Sequence, residues 1–177
     1  MKFFACCAFA AVLACAAPAS AEVSNVAPNG FQIQESVHIA APPDKVYASL
    51  ITPMHWWSSE HSFSGDSGNM TLDATAGGCW CETLPDGGSV QLMVVEFAAP
   101  GKLLRLSGAL GPFQAHAITG TMTFELKQAG DGTALTLTYE MAGYVRGGFG
   151  ALPKAADGVL TEQMVRLKKY LETGAPQ

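Results

Sequence analysis

Between Phe31 and Ile39 apolar and polar side chains alternate. Phe31, Ile33, Val37 and Ile39 share one face while Gln32, Gln34, Ser36 and His38 share the other, the two-residue period of a half-buried strand. Glu35 interrupts the apolar face. Pro42-Pro43-Asp44 ends that strand and opens a helix, because proline fits a first helical turn and an acid there complements the helix dipole. Val46, Tyr47, Leu50 and Ile51 form its buried stripe. Thr52-Pro53 stops it, and Met54-His55-Trp56-Trp57 predicts a second short helical piece ending near Ser58. The polar, glycine-containing stretch from Ser58 to Asn69 reads as an exposed loop.

Short runs at hairpin spacing follow: Met70 to Thr75, Gly78 to Thr83, Ser89 to Ala98, Lys102 to Ala109, Ala115 to Gln128 and Thr133 to Val145. Pro85-Asp86-Gly87-Gly88, Ala99-Pro100-Gly101 and Ala129-Gly130-Asp131-Gly132 supply turn chemistry for an antiparallel meander. The fifth run alternates Ile118, Met122, Phe124 and Leu126 against Thr119, Thr121, Thr123 and Glu125. The sixth sets Leu135, Leu137, Tyr139 and Met141 against Thr136, Thr138 and Glu140, so each strand has one wet face. A glycine-rich loop from Gly143 to Gly150 leads to a long terminal helix that opens at Leu152-Pro153 and ends near Thr173. Its apolar stripe is Ala156, Leu160, Met164, Leu167 and Leu171; Gly158 within it marks a close contact or a bend. Residues Glu22 to Gly30 lack periodicity and read as a flexible lead-in. The fold class is therefore α+β: a curved antiparallel sheet of about seven strands, two short helices and a long C-terminal helix. A domain of residues 31–173 is followed by a tail of 174–177.

The segment ahead of the lead-in changes the setting. Lys2, the apolar run Phe3 to Leu13, Pro18 and the small-residue exit Ala19-Ser20-Ala21 have the plan of a secretory signal over residues 1–21, so export to the periplasm or medium is expected. Val12-Leu13-Ala14-Cys15 loosely resembles a lipoprotein cleavage box, leaving a lipid anchor at Cys15 as an alternative. The apolar run is shorter than the roughly 20 residues needed to span a bilayer, and no later stretch is uncharged for long enough. The formal charge of -5 becomes -6 once Lys2 is removed, and basic residues are not clustered; nucleic acid and anionic membranes are therefore not expected partners. Of five cysteines only Cys79 and Cys81 lie outside the signal.

Strand, two short helices, six-stranded meander and long helix, in that order, resemble the helix-grip domain of the START-like (SRPBCC) superfamily, which includes a birch pollen allergen and polyketide cyclases. Val37-His38-Ile39-Ala40-Ala41-Pro42-Pro43-Asp44-Lys45-Val46-Tyr47 is similar to the family's first strand and helix, and Trp56-Trp57 to its second helix. Gly77-Gly78-Cys79-Trp80-Cys81-Glu82 followed by Pro85-Asp86-Gly87 resembles the branch named for activators of the ninety-kilodalton heat-shock protein ATPase. An exported protein does not meet that cytosolic chaperone, so the branch's activity is not implied. What the resemblance does imply is an apolar cavity between sheet and last helix that binds a small hydrophobic molecule. Met93 or Leu92, Leu106, Met122, Phe124, Tyr139, Met141, Val159 and Met164 would supply its walls.

Trp56, Trp57 and Trp80 could stack on a flat ligand or plug the junction between helix and sheet. Cys79 and Cys81 point to one strand face. A plain buried pair, a disulfide or redox pair, and thiolates sharing a metal with His55 or His61 all remain open. Nucleophile motifs and dinucleotide fingerprints are absent. Glu35, Glu82, His116, Arg105 and Arg146 could reach the cavity or its rim, as acid, base or ligand anchor; His38 and His61 are expected to be solvated. Three functions follow, in order. The first is non-enzymatic binding of a hydrophobic ligand without a cofactor, with His116 among the lining candidates. The second is a cyclase- or dehydratase-like enzyme using the same cavity. The third is a redox or metal module built on Cys79 and Cys81.

Overall fold

The computed structural model of the protein describes residues 21–177, so the signal expected over 1–21 lies, apart from Ala21, outside the described residues. Strands β1 (Ala21–Ala27) and β2 (Gly30–Ile39) are followed by helix α1 (Pro43–Leu50). Then come β3 (Met70–Leu72), β4 (Cys79–Thr83), β5 (Ser89–Ala99), β6 (Leu103–Gly108), β7 (Ala117–Ala129), β8 (Gly132–Tyr144) and helix α2 (Leu152–Thr173). All eight strands form one antiparallel sheet in the order β1-β2-β8-β7-β6-β5-β4-β3. One departure from the sequence reading is β1. The lead-in expected to be flexible is an edge strand, paired with β2 from Ala21↔Glu35 to Ala27↔Gly30. Backbone hydrogen bonds to one neighbouring strand hold it, with Val23 packed against the core, so it needs no apolar alternation of its own.

The helical piece expected at Met54–Trp57 shrinks to one turn, Pro53–His55, with Trp56 closing it. Strand β5 carries two bulges. Its residue Leu92 is the extra one opposite the Trp80–Cys81 step, and Glu96 the extra one opposite the Leu106–Arg105 step. Each raises local twist and bends the sheet toward the helix. The first also puts two consecutive residues, Leu92 and Met93, on the buried side. Gly120 of β7 sits under Met141 and Tyr139, and a Cβ there would collide with both, so only glycine lets those side chains cross the sheet. Ile33, Leu106, Met122, Leu135 and Leu167 are among the residues fully shut from solvent where α2 closes over the concave face.

The face of α2 toward the sheet contains Pro153, Ala156, Leu160, Gln163, Met164 and Leu167. Gly158 faces open space and makes no close contact. Gly174, at φ 82°, caps the helix with its N–H on the Tyr170 carbonyl at 2.9 Å. Two of the polar contacts between this helix and the rest reach the loop after α1 at Trp56 and Ser58. Gln163 Oε1 accepts the buried Ser58 N–H at 2.8 Å, and Arg166 Nε donates to the Trp56 carbonyl at 2.9 Å. The loop that follows α1 is thereby fastened to α2, the arrangement on which the cavity depends.

Candidate functional site

Beneath the first half of α2 lies a cavity of about 380 Å³. Its floor is buried and comes from Trp57, Met70, Leu92, Phe113, Tyr139, Ala156 and Leu160; its open rim includes Glu60, His61, Phe63, Pro112 and Ala155. Ser62, Leu110, Gly111, Leu152 and Val159 complete the wall. The volume lies within the range of small-molecule sites, and apolar side chains dominate the lining.

Each wall has an identifiable support. Trp57 is 5 % exposed; its Nε1 donates to the His61 carbonyl at 3.0 Å, and its ring meets that of Trp80 edge-on, centroids 5.0 Å apart at 87°. Trp56 packs on Trp57 at 5.6 Å and donates from Nε1 to the Ser49 carbonyl. The rim loop is held from β4, where buried Glu82 accepts the N–H groups of Phe63 at 3.0 Å and Ser64 at 2.5 Å. Across the rim, His61 Nε2 and Glu162 Oε2 are 3.0 Å apart, linking the loop to α2. On the opposite wall the Tyr139 hydroxyl donates to the Gly108 carbonyl at 3.1 Å and accepts the Leu110 N–H at 3.2 Å. Burial pushes the Tyr139 phenol well above the ordinary tyrosine range, so it stays protonated. Phe113 packs tilted against Phe31, which meets Phe149 edge-on, with ring centroids 6.1 and 5.4 Å apart.

The sequence-derived candidates divide. Trp57, Tyr139, Leu92 and Val159 line the cavity. Met93, Leu106, Met122, Phe124, Met141 and Met164 are buried, yet they belong to the packed core beyond it. They do point inward, but the cavity occupies only one end of the concave face. Trp56 and Trp80 stand behind Trp57 and, with Leu106 and Phe124, surround a gap of only about 10 Å³. His116 is half-buried and outside the lining, and Arg105 is turned outward, its Nε on Thr123 Oγ1 at 3.0 Å. Arg146 is exposed. His61, expected to be solvated, is a rim residue because its loop folds back onto α2. Glu60, Phe63 and the segment Leu110–Phe113 went unrecognised; they lie in aperiodic loops, and the one signal they carry is two aromatics, Phe63 and Phe113, among polar or small neighbours.

Cys79 and Cys81 form a disulfide across Trp80, their Cα atoms 5.4 Å apart, and both are half-buried rather than core residues. With the sulfurs bonded to each other neither is a thiolate ligand, and no cluster of three metal-ligating side chains exists among the described residues. His55, the other suggested ligand, is stacked on Tyr170 at 5.9 Å. The bridge closes a very short loop, so its reduction is expected to cost only about 1–2 kcal/mol. Urea unfolding with and without dithiothreitol measures this; a cost several times larger would show that the bridge holds β4 itself in place.

Residues 30–172 match the family described as polyketide cyclase/dehydrase and lipid transport, and the chain belongs to that family. No curated protein matches it. Among solved structures, a conserved protein of unknown function from Enterococcus faecalis superposes with a TM-score of 0.60 at 18% identity, covering 88% of this chain and 78% of that one. CalU16 from Micromonospora echinospora gives 0.60 at 16% identity, with coverages of 90% and 86%. The Aha1 dimer from Colwellia psychrerythraea gives 0.55 at 18% identity, with 81% and 97% covered. At such identities these likenesses establish the helix-grip fold. Among the described residues no helix is long and apolar enough to cross a membrane.

Proposed function

We propose that this is an exported protein that binds one small hydrophobic molecule in the cavity beneath α2, without transforming it. The observation that carries the reading is the lining itself: about 380 Å³ walled by Trp57, Met70, Leu92, Phe113, Tyr139 and Leu160. Its one buried hydroxyl, on Tyr139, is engaged by backbone groups on both sides. Catalysis of cyclisation or dehydration needs an acid or base within hydrogen-bond reach of the reacting atoms. Glu35 and Glu82, the buried carboxyl groups, do not line the cavity, and the acid and base that do, Glu60 and His61, stand exposed at its open rim rather than on the floor. The Cys79–Cys81 disulfide favours an oxidising compartment, in keeping with the signal-like segment.

Native mass spectrometry of the protein recovered from the exported fraction tests this. A non-covalent mass of small-molecule size, lost on denaturation, is expected for the wild type. It should be absent from Ala156→Phe, whose ring would fill the floor beside Leu160. Bare polypeptide from both, or turnover of a cyclisable polyketide by the wild type, would overturn the reading.

A further inference from the structure

The distribution of polarity around the cavity narrows the ligand class, given the binding reading above. We infer that the cavity selects hydrophobic molecules whose head group is neutral or cationic and donates hydrogen bonds, and that it turns away carboxylates such as fatty acids. The floor offers nothing to a head group. Tyr139 spends its hydroxyl on Gly108 and Leu110, and Trp57 spends its indole N–H on His61, so an apolar body must enter first. The head is left at the rim.

There the polar side chains are Glu60, His61 and Ser62. Ser62 donates its hydroxyl to the Ser59 carbonyl, and His61 Nε2 faces Glu162. Glu60 is exposed and has no hydrogen-bond or ion-pair partner among the described residues. Glu162, just outside the lining, offsets any charge on His61, so Glu60 leaves the rim negative whether or not the imidazole is charged. No lysine or arginine lines the cavity; Arg166 on α2 is turned to the Trp56 carbonyl, and Lys154 is exposed outside the lining. Phe63, 49 % exposed, lines the same rim as Glu60 and adds an aromatic ring, a group that attracts cations. A carboxylate head would meet the unpaired Glu60 at this rim with no lysine or arginine to offset it, within the field of a chain whose formal net charge is -5.

The test uses the leaderless protein, a neutral fluorophore (N-phenylnaphthylamine) to report cavity occupancy, and three competitors sharing one chain: dodecylamine, dodecanol and dodecanoic acid, all below micelle-forming concentrations. At low salt the amine and the alcohol are expected to displace the dye about tenfold better than the acid, an advantage that shrinks for the amine as salt screens the rim. Glu60→Gln should lower the amine-to-acid ratio. Acid binding as tight as amine binding, or a ratio unmoved by salt and by Glu60→Gln, overturns the selectivity while leaving the cavity reading intact. A dye that does not enter the wild type, or that enters Ala156→Phe equally well, removes the cavity reading and the selectivity with it. Amine bound equally by Ala156→Phe would locate it on the acidic surface and also overturn the inference.

Discussion

Trp80→Ala is expected to cost the fold about 3–5 kcal/mol, the usual toll for deleting a buried tryptophan whose site cannot collapse. Trp80 is 2 % exposed and is held among Leu50, Pro53, Trp56, Leu104, Leu106 and Phe124, residues drawn from both helical and sheet elements. It also forms the edge-on contact that fixes Trp57 as cavity wall. Ligand retention should therefore fall along with stability. Trp80→Phe is the informative partner. It keeps an aromatic ring against Trp57 and removes an indole N–H that is buried without a hydrogen-bond acceptor, so it should lose much less. Urea unfolding followed by circular dichroism reads both variants, since fluorescence would change with the indole itself. A loss below about 1 kcal/mol for the alanine variant, ordinary for surface positions, would mean that Trp80 does not organise this junction.

The second large effect concerns Glu35, the acid that interrupts the apolar face of β2. It is 3 % exposed against α2, where Thr161 Oγ1 donates to it at 2.7 Å. Burial raises its pKa from 4.5 to about 7; the Thr161 hydrogen bond opposes the rise, and neighbouring Asp157, whose Oδ1 is buried without a donor, adds to it. The folded protein therefore holds this proton more tightly than the unfolded chain. Glu35's contribution to stability is fully present below pH 4.5, is lost as the pH climbs through 7, and then levels off, a total of about 3 kcal/mol from this group. Glu35→Gln keeps an acceptor for Thr161 but cannot ionise. Its stability profile should be flat over that interval, and above it the variant should be more stable than the wild type. Unfolding midpoints measured across the interval decide the matter; parallel profiles for variant and wild type would show that Glu35 titrates normally.

Much of the frame was legible because it rests on short-range periodicity. In β7 and β8 the strict exchange of Met122, Phe124 and Leu126 with Thr121, Thr123 and Glu125, and of Leu135, Leu137 and Tyr139 with Thr136 and Thr138, reappears as alternating burial. The stripe of α2 reappears in the same way. Strand β1 escaped because an edge strand with one partner is specified by backbone pairing more than by side-chain pattern. The cavity was half legible for a related reason. Parity along a strand says which residues face inward, and Met93, Met122 and Met141 do. It does not say where along the concave face the packing ends. That limit is set by the loop through Glu60–Phe63 and the segment Leu110–Phe113, whose conformations depend on distant partners such as Glu82 and Glu162. Parity also fails at the Leu92 bulge, where two neighbouring residues face the same way. The cysteines' shared face could be read from spacing; their bond could not, because an extended strand holds such a pair at the edge of bonding distance.

The sheet order has a consequence for how the chain must be made. Strand β2 finds its inner neighbour in β8, and Thr133 Oγ1 closes on the Ala41 carbonyl across 92 residues of sequence. Until β8 has emerged, the apolar face of Phe31, Ile33 and Ile39 has neither its sheet nor the α2 lid. Contacts this distant in sequence make folding slow relative to local helix or hairpin formation. A nascent or truncated chain lacking its last third is therefore a sticky half-sheet rather than a smaller binding domain. Under the proposed export, late closure would be an advantage for a chain threaded unfolded: the segment that leads the way out is among the last to be locked.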